Sequence, residues 1–547
     1  MTTVSAGRDA GATGRRVKVF VDLQAVQQDN CCISAAAVML PLRFLAEIAT
    51  VSFLRGLPRV RLMNLAMWRI SVKKPNGWLR AFVVLLVCAA AVAATAQTFT
   101  TLFSFDRTNG NQPWSLVQGL DGNFYGTTLY GGTKNRGTAF KISSSGALTT
   151  LYSFRYAQPA SAGMILASDG NFYGGTNGGG TYHGGEIYGM SASGTVKSAY
   201  SFCALPNCAD GYEPRGLVQG TDGDLYGTTF QGGGNGGGTV YKLNANGDLS
   251  TLYNFCAQTN CTDGAQPFWL IEGSDGKFYG TTVDGGQYAN GAGTVFQVTP
   301  NGTMTTLHSF CAQTNCTDGY APQGLVQGID GYFYGTTYWG GANGQPLGGY
   351  GTIYKISSSG TMTTLYNFCA QANCTDGGHP GTSPIQATDG NFYGTTTAGG
   401  ANNVGTIYSL TPGGTLTTLY SFCSQPNCVD GEDALSELLQ GTDGLIYGTL
   451  ITGGTEGFGT VFSFNVGLGP FVAFVRDAGK VGQTGDILGQ GLTGTSGVSF
   501  NGTPASFTVV SDTYIKATVP AGATTGYVTV ATPSGTLTSN VPFQVIP

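Results

Sequence analysis

A short segment that begins at Asp121, with the sequence Asp-Gly-Asn-Phe-Tyr-Gly-Thr-Thr, returns along most of this chain and limits what the chain can fold into. Its Asp-Gly pair recurs at Asp169, Asp222, Asp275, Asp330, Asp389 and Asp443. The spacings lie between 48 and 59 residues. A period of this size is typical of tandem structural units that bury their faces by stacking on one another. The sequence therefore predicts seven copies of one unit.

Each copy has the pattern of four short β-strands. In the third copy, residues 217–219 and 225–229 are rich in apolar and β-branched side chains and flank an Asp-Gly hairpin signal. A glycine-rich loop then leads to 239–243, and a further turn leads to 250–255. Four strands per unit, with 88 glycines and only 10% charged residues, favour the blade of a β-propeller. We expect each Asp-Gly pair to form a two-residue hairpin at positive φ.

The two ends of the repeat region complement each other. The seventh copy has a third strand at 460–464 but no fourth, whereas residues 99–105 match the fourth-strand sequence of other copies. Pairing of these segments would close a ring and leave no unprotected sheet edge. The prediction is an all-β chain with a seven-bladed β-propeller over residues 97–467. An open solenoid is the alternative, and it would not explain the complementary ends.

The residues before the repeats indicate export. Residues 63–96 have the pattern of a signal peptide: a basic stretch, an apolar run over 81–93 that is short for a membrane span, and a small-residue cleavage site at 94–96. Residues 1–62 contain no repeat and are interpreted as a misassigned extension. The remaining chain has a formal net charge of -13, so we expect no nucleic-acid partner. We also expect no stable membrane span in the mature chain, and an extracellular, cell-surface or periplasmic location.

Ten of the 13 cysteines follow the predicted signal peptide, and all ten form pairs separated by four residues. The pairs are Cys203/Cys208, Cys256/Cys261, Cys311/Cys316, Cys369/Cys374 and Cys423/Cys428. An even set at regular spacing in an exported chain predicts disulfides. A metal site is disfavoured because no second ligand pair accompanies each one. We therefore expect five local disulfides and no metal or cofactor.

Several recurring segments resemble a known family. Residues 324–328 (Gly-Leu-Val-Gln-Gly), 351–354 (Gly-Thr-Ile-Tyr) and 363–368 (Thr-Thr-Leu-Tyr-Asn-Phe) resemble the GloVer tandem repeat, of Gloeobacter/Verrucomicrobium type, of exported "choice-of-anchor" bacterial proteins. This resemblance implies an exported repeat protein without an assigned biochemical role. Residues 469–547 have the short alternating strands of a small sandwich and resemble the IPT/TIG immunoglobulin-like domain. That resemblance implies a spacer or contact module.

The repeated carboxylates are better explained by structure than by chemistry. Asp-Gly pairs suit turns, and the Asp of each Cys-x-Asp-Gly segment, such as Asp263, suits a turn residue that caps nearby amides. Calcium would need six to eight oxygens that converge on one point. The sequence contains neither H-E-x-x-H nor G-x-S-x-G. No catalytic residues are therefore assigned.

Aromatic residues predicted to lie in the cysteine and glycine-rich loops are the candidate ligand-binding residues. They are Trp114, Tyr130, Phe268, Trp269, Tyr338 and Trp339. In the predicted fold the cysteine loops and the glycine-rich loops lie on one face, and exposed rings beside polar groups suit flat ligands such as sugars. The alternative is that these rings pack between blades or under their own loops.

The function that these features favour is non-enzymatic binding or interaction at the cell surface or outside the cell, with a polysaccharide, the extracellular matrix or an extracellular protein as partner. One alternative is a glycoside hydrolase or polysaccharide lyase with its site in the propeller channel, and its first candidate residue would be Glu272, an acidic departure from the repeat. Another alternative is a structural envelope protein.

Overall fold

The computed structural model describes residues 97–156, 159–288, 291–344 and 348–546. The regular structure of these residues is β-strand apart from five short 3-10 helices, at Pro206–Cys208, Thr259–Cys261, Thr314–Cys316, Ala372–Cys374 and Pro426–Cys428. Within these ranges no helix is long and apolar enough to cross a membrane. The predicted extension (1–62) and signal peptide (63–96) lie outside the described residues.

The repeats form seven four-stranded antiparallel sheets in the described part of the chain, which confirms the all-β class and the four strands per unit. Sheet 1 contains Asn111–Gln118, Phe124–Tyr130, Thr138–Ile142 and Leu148–Ser153. Sheet 2 contains Pro159–Leu166, Phe172–Thr176, Glu186–Met190 and Val196–Ser201. Sheet 3 contains Tyr212–Gln219, Leu225–Gln231, Thr239–Leu243 and Leu249–Asn254. Sheet 4 contains Ala265–Glu272, Phe278–Asp284, Thr294–Val298 and Met304–Ser309. Sheet 5 contains Tyr320–Gln327, Phe333–Trp339, Thr352–Ile356 and Met362–Asn367. Sheet 6 contains Ile385–Gln386, Phe392–Thr395, Thr406–Leu410 and Leu416–Ser421. Sheet 7 contains Leu439–Gln440, Ile446–Leu450, Thr460–Asn465 and the N-terminal strand Thr98–Ser104.

The N-terminal strand supplies the fourth strand of sheet 7, as the complementary ends predict. Thr98–Ser104 pairs antiparallel with Thr460–Asn465, with Phe99 opposite Phe464. The Phe99 ring also stacks on Tyr420 of sheet 6, with 4.3 Å between ring centroids. The first strand of the chain is thus tied both to the last strand of the repeats and to the sheet before it.

The Asp-Gly turns differ from the predicted geometry. In sheet 1 the N–H of Gly122 donates to the carbonyl of Gly119 (3.0 Å), so the turn spans residues 119–122, and only the glycine of the Asp-Gly pair has a positive φ (77°). The prediction of a two-residue hairpin was therefore wrong. The Asp121 carboxylate instead accepts from the N–H of Asn123 (3.2 Å) and the hydroxyl of Tyr125 (3.0 Å). This carboxylate therefore fixes the turn by accepting from local donors.

Neighbouring sheets are joined by a recurring side-chain hydrogen bond. The Gln three residues before an Asp-Gly pair accepts from the backbone N–H that precedes the Asp of the adjacent sheet. These bonds are Ser168–Gln219 (2.8 Å), Ser274–Gln327 (2.8 Å), Ile329–Gln386 (2.9 Å), Thr388–Gln440 (3.0 Å) and Thr442–Gln118 (3.0 Å). The bond from Thr442 to Gln118 joins sheet 7 to sheet 1.

The cysteine loops contain the five predicted disulfides, which are confirmed. Each loop folds around the buried Asp of its Cys-x-Asp-Gly segment. Asp263 accepts from the N–H groups of Ala257 (2.9 Å) and Gln258 (3.2 Å) and from the hydroxyl of Tyr253 (2.8 Å). The carboxylate therefore caps loop amides, in agreement with the prediction.

Residues 470–546 form a small sandwich that packs against the Asp-Gly end of the repeat sheets. Its strands are Ala473–Phe474, Ala478–Lys480, Thr484–Leu488, Gly497–Phe500, Thr503–Pro504, Phe507–Ser511, Tyr514–Thr518, Val528–Thr532, Gly535–Thr538 and Gln544–Ile546. The hydroxyl of Thr513 donates to the carbonyl of Leu120 (2.8 Å), and the Gln490 amide donates to the hydroxyl of Thr442 (3.1 Å). This domain therefore occupies the end of the sheets opposite the cysteine loops.

Candidate binding site

Three of the six candidate aromatic residues meet in one pocket. Trp114, Phe268 and Trp269 lie in the middle of first strands, Asn111–Gln118 and Ala265–Glu272, so their predicted placement in loops was wrong. They line a cavity of about 160 Å³, and we call it the aromatic pocket. Its other lining residues are Gln323, Gly324, Gly381, Thr382, Ser383 and Leu435. The three aromatic side chains are half-buried, so part of each ring surface remains accessible. The pocket offers flat apolar surfaces together with amide and hydroxyl groups.

The pocket residues occupy equivalent positions in different sheets. Trp114 and Phe268 both lie seven residues before the Asp of their Asp-Gly pair, and Trp269 lies six residues before. Gln323 and Gly324 occupy the same two positions in sheet 5. The pocket therefore forms where the first strands of sheets 1, 4 and 5 and the segments before the first strands of sheets 6 and 7 come together.

The position six residues before the Asp of the Asp-Gly pair holds a small residue in most copies, which leaves the pocket open. A Cβ atom on Gly324 would lie 2.8 Å from the Ser383 hydroxyl, and one on Gly216 would lie 2.8 Å from the backbone nitrogen of Leu270. A side chain at either glycine would therefore collide with the next strand. Trp269 and Glu437 are the large side chains at this position.

Glu437 adds a carboxyl group beside the pocket wall. Its Oε1 accepts from the hydroxyl of Ser383 at 3.0 Å, and Ser383 itself lines the aromatic pocket. Partial burial raises the pKa of Glu437 to about 7, although the Ser383 hydrogen bond opposes this shift. Glu437 therefore titrates near neutral pH.

Arg215 contacts the ring of Phe268 but is not among the residues that line the aromatic pocket. Its guanidinium carbon is 5.8 Å from the centroid of Phe268 and 5.3 Å from that of Phe230, and Nη1 donates to Oδ1 of Asn177 at 2.5 Å. Burial lowers the pKa of Arg215, and nearby Glu213 opposes this effect. These contacts hold the cation against the aromatic ring and fix one side of Phe268.

The sequence profile of the Gloeobacter/Verrucomicrobia repeat matches this chain in three overlapping segments, residues 91–269, 158–371 and 270–508. The chain belongs to the Gloeobacter/Verrucomicrobia repeat family. The IPT/TIG domain matches residues 473–545, which confirms the resemblance of the C-terminal segment. A comparison with curated proteins finds no match.

Solved structures share only a distant likeness with this Gloeobacter/Verrucomicrobia repeat protein. One is described as the extracellular domain of the one-component system BT4673 from B. thetaiotaomicron: identity is 10%, the TM-score is 0.43, and the match covers 82% of this chain and 58% of that chain. A Bacteroides thetaiotaomicron protein of unknown function is 14% identical with a TM-score of 0.36, over 68% of this chain and 76% of that chain. A luciferin-regenerating enzyme is 10% identical with a TM-score of 0.35, and the match covers 69% of this chain and 97% of that chain.

The other candidate aromatic residues of this repeat protein lie outside the aromatic pocket. Tyr338 and Trp339 form a second cluster with His379, whose ring centroid is 5.1 Å from Tyr338 and 4.4 Å from Trp339. Nδ1 of His379 lies 3.0 Å from the carbonyl oxygen of Tyr338, which ties the cluster to the backbone. Tyr130 is exposed at the end of the second strand of sheet 1.

Glu272 has a structural role in the contact between sheets. Its two carboxylate oxygens accept from the N–H (2.8 Å) and the hydroxyl (2.9 Å) of Thr221. It therefore takes the place of the Gln that joins neighbouring sheets elsewhere in the repeats. It also lines a cavity with Arg476 and Asp477 of the C-terminal domain, at the Asp-Gly end, away from the aromatic pocket.

Sequence reasoning missed Glu437, although a signal for it was present. Aligned on the Asp-Gly pairs, the position six residues before the Asp holds glycine, serine or tryptophan in the other six copies and glutamate only at Glu437. In the described part of the chain, the one cluster with metal-ligand geometry is Cys423, Cys428 and Glu432. Its two cysteines are joined in a disulfide, so they are not available as thiolate ligands.

Proposed function

We propose that this chain is an exported, non-enzymatic binding protein whose aromatic pocket takes a carbohydrate ligand. The observation that carries the proposal is the convergence of Trp114, Phe268 and Trp269 from two distant repeats on one cavity with hydroxyl and amide groups. Sugars present flat apolar faces edged by hydroxyls, and aromatic rings beside polar groups match both features. The cavity has room for a single ring or a chain end.

We further propose that the seven sheets close into a β-propeller over residues 97–467 and that 469–547 form a separate IPT/TIG-like domain. Two contacts support closure: the pairing of Thr98–Ser104 with Thr460–Asn465, and the hydrogen bond from Thr442 to Gln118. In such a ring the first strands surround a central channel. The aromatic pocket would then lie at the end of the channel that faces away from the C-terminal domain.

Export is proposed from the disulfides together with the signal-peptide pattern of residues 63–96. In most proteins, disulfides form and persist only in an oxidising compartment. This chain has five of them. An extracellular, cell-surface or periplasmic location satisfies this condition. It also brings the protein within reach of polysaccharides and extracellular proteins.

A panel of immobilised polysaccharides tests the binding proposal. The purified protein should be retained by at least one of them, and Trp269→Ala should abolish retention. Trp339→Ala is the matched control, because it removes a partly exposed indole from the second cluster and should leave retention unchanged. If no polysaccharide retains the protein, or if Trp269→Ala is retained as well as the wild type, carbohydrate binding at this pocket is wrong.

Polysaccharide cleavage is the second candidate function, and the raised pKa of Glu437 favours it, since a carboxyl that titrates near pH 7 suits a general acid. The canonical reaction uses two carboxyl groups, and the described lining of the aromatic pocket contains no carboxylate of its own. The same panel separates the two functions. Release of reducing or unsaturated ends from a retained polysaccharide would establish cleavage.

A further inference from the structure

We infer that the sugar unit recognised by the aromatic pocket carries a free, positively charged amine that pairs with Glu437. This inference rests on the proposed carbohydrate binding and names the class of sugar: a hexosamine without an N-acyl group. Three features of the described residues support it. The carboxyl group of Glu437 has no charged partner, the tryptophan rings of the pocket attract cations, and the equivalent position in other repeats carries no charge.

Glu437 has no positively charged partner among the residues that the structure describes. Among the described residues its only hydrogen bond is the one from Ser383 to Oε1 (3.0 Å), which leaves Oε2 unused, and no lysine, arginine or histidine lies within ion-pair distance. Glu437 is half-buried, so its carboxylate has lost part of the hydration that would stabilise its charge. An ammonium group brought by a ligand would offset that loss by both charge and hydrogen bonding.

The repeat itself shows that the fold does not require a carboxylate at this position. The equivalent residues in sheets 1, 3, 5 and 6 are Ser115, Gly216, Gly324 and Ser383, none of which is charged. Each of these sheets forms with its four strands in the same order. The glutamate is therefore better explained by a ligand than by packing.

The rings of the pocket favour a cation as well. Ammonium groups are attracted to the faces of aromatic rings, most strongly to tryptophan, and Trp114 and Trp269 both line the pocket. Arg215 already lies over Phe268 at 5.8 Å and forms an ion pair with the carboxylate of Glu213 at 3.9 Å. An ammonium group in the pocket would therefore meet the indoles, with Glu437 beside them behind the lining residue Ser383.

Paired oligosaccharides that differ only at nitrogen test this inference on the full chain. Glucosamine oligomers are compared with their N-acetylated forms at about pH 7, where both the amine and Glu437 are partly charged, by equilibrium binding to the wild type, Glu437→Gln and Glu432→Gln. The wild type should bind the amine form at least about tenfold more tightly, as expected for a close, partly buried charge pair. Glu437→Gln should lose this preference, because glutamine keeps the shape and the acceptor for Ser383 but not the charge.

Glu432→Gln is the matched control, since Glu432 is a partly exposed residue near the start of the same repeat, and it should keep the preference. Equal binding of the two oligomers by the wild type, or an unchanged preference in Glu437→Gln, would overturn the inference. If the wild type binds uncharged polysaccharides through Trp269 but shows no preference for the amine, the inference about the amine is wrong and the proposed function still holds. Failure to bind any polysaccharide would overturn both.

Discussion

Asp263 organises its cysteine loop as a single buried acceptor for three donors, two backbone N–H groups and the hydroxyl of Tyr253. Asp263→Ala would leave these donors without a partner, and each unsatisfied buried group costs about 1–3 kcal/mol. We expect the variant to lose about 3 kcal/mol in free energy of unfolding, measured by denaturant titration. Asp248→Ala, in an exposed turn of the same repeat, should change it by less than about 0.5 kcal/mol. Equal effects would show that the loop does not depend on its carboxylate.

Glu437 makes stability depend on pH in a defined direction. Its folded-state pKa of about 7 exceeds that of an unfolded glutamate, about 4.3, so folding favours the protonated form. The stability that protonation provides is complete below about pH 4 and is lost as the pH rises through 7. Relative to the wild type, Glu437→Gln should therefore gain up to about 3 kcal/mol in free energy of unfolding between pH 4 and pH 8. A pH-independent difference in unfolding midpoints would contradict this.

At the scale of the element, each disulfide closes a loop that its hydrogen bonds already shape. In the loop of sheet 3, the N–H of Cys261 donates to Gln258 and the N–H of Gly264 donates to Cys261 (3.0 and 2.9 Å). Replacing Cys256 and Cys261 with serine should lower the free energy of unfolding by about 2 kcal/mol, the loop-entropy value for so short a bridge. Far-UV circular dichroism should not change, because the four-stranded sheet pairs without the loop. Loss of the β-sheet signal would mean that the disulfide is needed for folding.

The strands and loops were predictable because their determinants are local. Alternating apolar residues, turn glycines and paired cysteines mark each element within a few residues, and the seven repetitions make the pattern unmistakable. The turn geometry was predicted incorrectly because residue types do not distinguish a two-residue hairpin from the turn at 119–122. The role of Glu272 was missed for another reason: its partner Thr221 lies in a neighbouring sheet, and the equivalent glutamines had no assigned role in the sequence.

The aromatic pocket was only partly predictable, since it depends on how distant repeats meet. The sequence predicted loops for Trp114 and Trp269, which the structure places in first strands. Nothing local brings these two residues together or separates them from Tyr338 and Trp339. Glu437 lies just before the first strand of sheet 7, Leu439–Gln440, and unlike Glu272 it was not predicted as a departure from the repeat. Alignment of all seven copies on the Asp-Gly pair would have identified it from the sequence alone.

At the scale of the whole molecule, the N-terminal strand is predicted to hold the array of sheets together. Removing Thr98–Ser104 would expose the backbone edge of Thr460–Asn465 and remove Phe99 from its stack on Tyr420. We expect the shortened protein to aggregate or to form oligomers in size-exclusion chromatography, as exposed strand edges do. Replacing the strand with the sequence of Leu416–Ser421, a fourth strand of sheet 6, should restore a monomer. A shortened protein that stays monomeric with an unchanged melting temperature would contradict ring closure.

The most direct test of the account is a double-mutant cycle on Trp114 and Trp269, with the best polysaccharide ligand of the panel and affinity as the measured quantity. These residues come from sheets 1 and 4 and can act on one ligand only if the sheets meet as described. Each single alanine variant should weaken binding about tenfold or more, and the double variant should lose clearly less than the sum of the two free-energy changes, because both rings contact the same sugar. Strict additivity, or a Trp114→Ala variant that binds like the wild type, would show that the two residues do not form one site.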